Sequence, residues 1–314
     1  MDLIEEKSDM LQAEKDDRKS DKTAPASRYV LITPTRNEEA FIERTIQGIV
    51  EQTLKPVRWV IVSDASTDRT DEIVKEYAKI HPFIELVRVE ERNGRDFASK
   101  VIAFKAGYAG LNGVEYDFLG NLDADIYVEP DYYASILAEF ERNEKLGLAG
   151  GVRYDLYQGA FKRYGKAANS VGGCVQLYRR ACFEETGGFI PVKYGGEDAI
   201  AEITARMLGW EVRSFPDRKI FHYRETGAMN RNVLRTRFRE GVKDYLIGYH
   251  PLFELLRCFY RIKQKRPWFL GAILSVAGYL WAGLKRMDRP VPSEMVQFLR
   301  TEQMSRLRSL FKRA

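Results

Sequence analysis

The chain is 314 residues long, 45% hydrophobic and 30% charged, with a formal net charge of +5. That composition excludes collagenous and wholly disordered classes and suffices for one large domain, or one domain with an appendage. Three cysteines, Cys174, Cys182 and Cys258, are too few and too scattered for a disulfide framework or a zinc site, so a reducing compartment is expected.

Residues 1–27 are dense in charge, with no apolar run of the kind a secretory signal needs, and read as a mobile tail. Strand and helix then alternate. Arg28–Thr33 is a β-branched and aromatic run, broken by Pro34-Thr35-Arg36-Asn37. A helix follows with Ile42, Ile46, Ile49 and Val50 on one face. Val57–Val62 is a second strand, followed by Ser63-Asp64-Ala65-Ser66-Thr67-Asp68 and a helix to Ile80. Ile84–Val89 is a third strand, 97–109 a third helix and Tyr116–Leu122 a fourth strand. The pattern predicts an α/β domain with a mostly parallel sheet, whose ligand crevice lies outside the carboxyl ends of the strands. Thr33-Pro34, Asp64 and Asp123/Asp125 all fall at such ends.

The fourth strand ends in two carboxylates one residue apart, Asp123 and Asp125. In extended chain, positions i and i+2 point to the same side. Two like charges aimed at one point repel and are costly to desolvate, so a hard divalent cation is the natural companion. Further on, Pro130–Glu144 reads as a helix, Gly147–Tyr154 and Gly172–Tyr178 as strands, and Arg179–Thr186 as a short helix stopped by Gly187-Gly188. Glu197 and Asp198 then open a helix, where carboxylates favour the N-terminus. Two more strands, Trp210–Phe215 and Lys219–Tyr223, close the domain, the last carrying His222.

Beyond Gly227 the character changes. From Arg218 to Arg266 there are 13 Lys/Arg against 4 Asp/Glu, and from Lys285 to Ala314 8 against 3. Pro267–Leu284 is an uncharged run of 18 residues with Trp268 and Trp281 near its ends and basic flanks on both sides. At helical rise this spans roughly 27 Å, the lower limit for crossing a bilayer core. Symmetric basic flanks fit a segment that dips into one leaflet or lies in the interface; a buried core helix is the alternative. Met295–Phe311 sets Met295, Leu299, Leu307, Leu310 and Phe311 against Arg300, Arg306, Arg308 and Lys312, a basic amphipathic pattern that suits a membrane surface. No aromatic stacking platform or nucleic-acid motif accompanies the charge, so nucleic acid is not the expected partner.

The ordered elements resemble inverting glycosyltransferases of the GT-A fold, family 2. The resemblance rests on Thr33-Pro34-Thr35-Arg36-Asn37-Glu38, Ser63–Asp68, Gly94–Lys100, Asp123-Ala124-Asp125 (a DxD motif) and Gly196-Glu197-Asp198, and covers about residues 28–225. Ala65 departs from the glycine common in the second motif. The Gln-x-x-Arg-Trp motif of processive members is absent, which implies transfer of one sugar at a time.

The resemblance implies Asp125 as a metal ligand for Mg2+ or Mn2+, with Asp123 near the ribose and metal. Asp64 and Glu38 would contact the nucleobase and ribose, and Pro34 and Thr35 would shape the base pocket through the backbone. Asp68 is available as the helix cap beside Asp64. Lys100 would stand near the phosphates. Asp198, next to Glu197, would be the general base, and His222 a third metal ligand. The expected organisation is a tail over 1–27, a GT-A catalytic domain over 28–227 and a helical, membrane-associating region over 228–314. The expected activity moves a sugar from a nucleotide-sugar donor to a membrane-presented, lipid-linked acceptor on the cytoplasmic face of a membrane. A soluble acceptor, or a catalytically silent membrane-bound scaffold, are the alternatives. No oligomeric state follows from the residues.

Overall fold

The computed structural model of the chain describes residues 27–90, 98–164, 169–224, 233–262 and 268–311. The charged tail, Gly94 and its neighbours, Arg231 and the basic residues Lys263, Lys265 and Arg266 lie outside the described residues.

Nine strands form one sheet: β1 (Tyr29–Thr35), β2 (Arg58–Asp64), β3 (Ile84–Val89), β4 (Phe118–Leu122), β5 (Ile126–Val128), β6 (Leu146–Tyr157), β7 (Ala160–Arg163), β8 (Val175–Arg179) and β9 (Glu211–His222). Their order is β3-β2-β1-β4-β8-β6-β9-β5, with β7 paired to β6. The first four strands pair in parallel, as the alternation of strand and helix requires. Beyond β4 the sheet is mixed: β8 runs antiparallel to β4 and β6, while β6 and β9 are parallel.

Six helices serve this sheet: α1 (Ile42–Val50), α2 (Thr70–Ile80), α3 (Ala98–Ala109), α4 (Tyr132–Arg142), α5 (Arg180–Glu185) and α6 (Glu197–Met207). Both faces of the early strands are buried, by simple alternation. Tyr29, Leu31, Trp59 and Ile61 join the layer of Ile42, Ile46 and Val74. Val30, Ile32, Val60 and Val62 join that of Val101 and Phe104 from α3.

Three features differ from the sequence reading. Two short strands, β5 and β7, were too brief to show as periodic runs. The two strands expected over 210–215 and 219–223 are one, β9, because a register shift at Gly151/Val152 lets the Pro216-Asp217-Arg218 stretch bulge without breaking the pairing. A Cβ at Gly151 would collide with the Arg218 carbonyl, so glycine permits the bulge.

The C-terminal segment forms α7 (Val233–Ile247), α8 (Pro251–Arg261), α9 (Trp268–Leu284) and α10 (Ser293–Phe311). No helix among the described residues is long and apolar enough to cross a membrane. The third difference concerns α10. Its apolar face, expected at a membrane, is used inside the protein: Met295, Val296 and Leu299 pack with Ile200 and Ile203 of α6 and Ile247 of α7. This shared core ties the C-terminal helices to the helix that begins at Glu197.

Candidate active site

The carboxyl ends of β1 and β4 open into a cleft of about 510 Å3 lined by Pro34, Arg36, Glu38, Lys100, Asp123, Asp125 and Arg224. Asp123 follows directly on β4 and meets Lys100 from the first turn of α3 at 2.6 Å. Burial raises the pKa of Asp123, Lys100 opposes this and Asp125 adds to it, for a net rise. Burial pulls Lys100 down, and Asp123, Glu197 and Asp198 more than reverse that, so the ammonium is held charged.

Asp125 faces the other way. Its Oδ2 lies 3.2 Å from His222 Nε2 and accepts a hydrogen bond from Arg224 Nε at 2.8 Å. Burial opposes its charge, but His222 and Arg224 prevail and hold the carboxylate down at about 2. Sheet register explains why His222 reaches it. The antiparallel β5–β9 pair sets His222 opposite Ile126, the next residue after Asp125. The parallel β6–β9 pair sets Asp155 beside His222, whose Nδ1 lies 3.2 Å from Asp155 Oδ1. Arg153 in turn pairs with Asp155 at 2.8 Å. Arg224 reaches further, pairing with Glu38 and stacking 4.7 Å over the Phe41 ring. Burial pushes Glu38 up, Arg224 restrains it and Asp125 adds to the rise, giving about 7.

The nucleoside-side residues of the sequence reading divide. Pro34 lines the cleft. Thr35 is buried and Asp64 sits at the end of β2, linked to Arg36 at 3.4 Å. Asp68 lies just before the Arg69 N-cap of α2 and accepts from Thr70 N at 3.0 Å, while Asn37 Oδ1 accepts from Thr67 N at 2.8 Å and joins the two motif loops. Ala65 has φ +49°, the left-handed conformation that its glycine counterpart would favour.

On the far side of Lys100 lie Glu197 and Asp198, at the start of α6. Lys100, Asn121, Gly173 and both carboxylates line one narrow gap. Asp198 Oδ1 accepts from Ala199 N at 2.8 Å. Its other oxygen packs on Gly173, where any Cβ would collide with it, and Asn121 Nδ2 holds that turn through the Gly173 carbonyl at 2.8 Å. Burial raises Glu197, Asp198 adds to the rise and Lys100 opposes it. Lys243 of α7 packs its stem over Gly196. Burial lowers its pKa, and Asp244 and Asp198 raise it further than that.

The residues can hold a divalent cation in part. Asp125 Oδ2 and His222 Nε2, 3.2 Å apart, suit neighbouring positions on one ion with bonds of about 2.1 Å. Asp155 on the other ring nitrogen is the outer partner that a ligating histidine needs. Among the described residues no three His, Cys, Asp or Glu side chains converge on one ion, so phosphate oxygens and water would complete the shell.

The profile of Glycosyl transferase family 2 matches residues 30–192, more than half of the chain. The chain belongs to that family. Among curated family 2 relatives it is 24% identical over 198 residues to a poly-beta-1,6-N-acetyl-D-glucosamine synthase of Staphylococcus epidermidis, spanning 57% of this chain and 44% of that protein. It is 26% identical to the probable glycosyltransferase YdaM of Bacillus subtilis, over 75% of this chain and 59% of the relative. The chain thus spans about half the length of these relatives. The fold is that of GT-A glycosyltransferases. A mannosyltransferase from Pyrobaculum calidifontis, solved with GDP-Man and Mn2+, superposes with a TM-score of 0.52 at 19% identity, covering 90% of this chain and 81% of that one. GalNAc-T7, solved with UDP, GalNAc and Mn2+, gives 0.54 at 17% identity over 86% of this chain and 59% of that one.

Sequence reasoning brought Pro34, Glu38, Lys100, Asp123, Asp125, Glu197, Asp198 and His222 to the site, and the structure gathers them. It missed Asp155, which no local signal marks: only the pairing of β6 with β9 places it. It also missed Asn121 and Gly173. The run Gly172-Gly173 just before a strand was the available hint of a close approach.

Proposed function

We propose that this family 2 protein transfers one hexosyl group at a time from a nucleoside diphosphate sugar to an acceptor hydroxyl, with inversion at the anomeric carbon. One observation carries the reading. Lys100 stands between the Asp123/Asp125 pair and the Glu197/Asp198 pair, so a donor diphosphate and a general base have places on either side of one cation.

Lys100, Arg224 and Arg36 supply positive charge for the phosphates, and Pro34 and Asp64 border the nucleoside end. Bound Mg2+ or Mn2+, held by Asp125 and His222, would act as a Lewis acid on the departing diphosphate. Asp198 takes the proton of the acceptor hydroxyl as that oxygen attacks the anomeric carbon. Gly173 and Asn121 fix the direction in which the carboxylate points. Related structures solved with GDP-Man or UDP and with Mn2+ support the donor class and the metal. Relatives named as poly-beta-1,6-N-acetyl-D-glucosamine synthases support a glycan as acceptor. Its presentation at the cytoplasmic face of a membrane is proposed from the basic and apolar residues of the C-terminal third. The missing Gln-x-x-Arg-Trp motif supports single transfers.

A panel of nucleotide sugars, each with Mn2+ or Mg2+, tests this. One donor should show metal-dependent turnover that Asp125→Ala abolishes. If no nucleoside diphosphate binds in the presence of either metal, the reading fails.

A further inference from the structure

Helix α9 is built inside out for a helix in water. The face it turns to α7 is small: Gly271, Ser275, Gly278 and Ala282 recur at helical spacing and are buried. At Gly278 a Cβ would collide with the Phe238 carbonyl, and at Gly241 of α7 with that of Ser275, so the two backbones touch. The opposite face carries Phe269, Ile273, Leu280 and Leu284, all exposed, Ile273 by 62% and Leu284 by 85%. In water the large apolar side chains go inward, because each fully buried one is worth about 1.5–3 kcal/mol. Small residues inward and large ones outward is the arrangement of a helix whose surroundings are lipid.

Helix α8 repeats the pattern. Leu252, Leu255, Leu256 and Phe259 stand at i, i+3, i+4 and i+7 and are exposed. The polar groups of α8 face inward instead: Glu254 is buried and pairs with Arg257, which also pairs with Asp244. Helices α8 and α9 pack on each other, and most of the large exposed apolar side chains among the described residues belong to these two. Exposed Lys285 and Arg286 border the end of α9.

We infer that the outer faces of α8 and α9 form one surface that docks along an anionic lipid bilayer. The apolar stripes enter the headgroup boundary and the bordering cations meet lipid phosphate. Helix α7 joins this surface to the site: one side carries Lys243 over Gly196, and Gly241 meets α9. Two helices, α7 and α9, therefore stand between the bilayer and the Glu197/Asp198 helix start, roughly 20 Å at about 10 Å per helix layer. The inference extends the membrane-presented acceptor reading above by naming the surface that meets the lipid, and assigns that role to α8 and α9 rather than to α10.

The test is flotation of the full-length chain with vesicles of phosphatidylglycerol and phosphatidylethanolamine, against phosphatidylcholine alone. Wild type should float with the anionic vesicles. The exposed-site variant Phe259→Ser/Ile273→Ser/Leu284→Ser should bind at least about tenfold more weakly, with melting temperature and nucleoside diphosphate binding unchanged. Lys285→Gln should weaken the preference for anionic vesicles roughly fivefold. Wild type that does not float, or a triple variant that floats equally well, overturns the inference. So does light scattering that finds a wild-type dimer, a monomeric triple variant and no flotation of either, since the face would then belong to a second copy. Flotation without nucleoside diphosphate binding would instead sink the proposed activity and leave the surface standing.

Discussion

His222 stands between two carboxylates, its Nε2 3.2 Å from Asp125 and its Nδ1 3.2 Å from Asp155. Burial lowers the pKa of the imidazole, and the bonds to Asp125 and Asp155 more than reverse this, raising it to about 9. A histidine must lose its proton to bind a metal. Affinity for Mn2+ should therefore rise about tenfold per pH unit between pH 7 and 9 and level off above. Titration calorimetry at several pH values measures this. In Asp155→Asn the plateau should move to lower pH, and a flat profile would remove His222 from the ligand set.

The same shifts set how the metal-free protein responds to pH. The folded pKa of His222 is raised from 6.5 to about 9, so its stabilising contribution is complete below 6.5 and is lost as pH rises through 9. Glu38, raised from 4.5 to about 7 by burial, holds a proton in the fold that the unfolded chain has released, so stability falls as pH rises between those values. Asp125 runs the other way: its pKa is lowered from 3.8 to about 2, so its contribution is complete above 3.8 and is lost as pH falls through about 2. Urea melts in chelator should show stability declining from about pH 4.5 to 9. Glu38→Gln should flatten the lower part of the curve and His222→Gln the upper.

Asp198→Asn should lower kcat by about 10²–10⁴ and leave the donor KM near wild type, because the base acts on the acceptor. Gly173→Ala tests the positioning of that carboxylate without removing it. The new methyl displaces Asp198 Oδ2, and a shift of about 1 Å suffices for a loss approaching 10²-fold. Steady-state kinetics with a saturating donor separates the two effects, and equal kcat in Gly173→Ala and wild type would contradict the geometry.

Ala65 occupies a left-handed position at φ +49°. A Cβ there costs about 1–2 kcal/mol, part of which Gly loses again through unfolded-chain entropy. Ala65→Gly should raise stability by about 0.5–1 kcal/mol, read as a higher denaturation midpoint with an unchanged slope.

Gly278→Ala should do the reverse. Its methyl would meet the Phe238 carbonyl, an unyielding backbone atom, so α7 and α9 must separate. A cost of about 1–3 kcal/mol follows, with near-ultraviolet circular dichroism reporting disturbance of the Phe238–Trp281 ring pair, whose centroids are 5.7 Å apart. Unchanged stability would mean that the helices do not touch there.

Local chemistry determined a good deal by itself. The alternation of Tyr29, Val30, Leu31 and Ile32 marks a strand buried on both faces, and Asp123 and Asp125 mark a charge problem at a strand end whatever surrounds them. The family resemblance supplied Asp198 and His222 in advance of any geometry. Tertiary structure decided what depends on pairing between distant segments. Asp155 reaches His222 only because β6 and β9 run side by side, and Gly173 cradles Asp198 only because β8 adds to β4. It also decided which apolar faces are spent. The apolar residues of α8, α9 and α10 do not say in sequence what covers them, since a pattern records that a segment is apolar and not what lies against it. Contact with α6 buries that of α10, while those of α8 and α9 remain outside. At the end of β4 the two neighbouring carboxylates prove to have separate partners, Lys100 for Asp123 and His222 with Arg224 for Asp125, because side chains from α3 and from the end of the sheet approach from different sides.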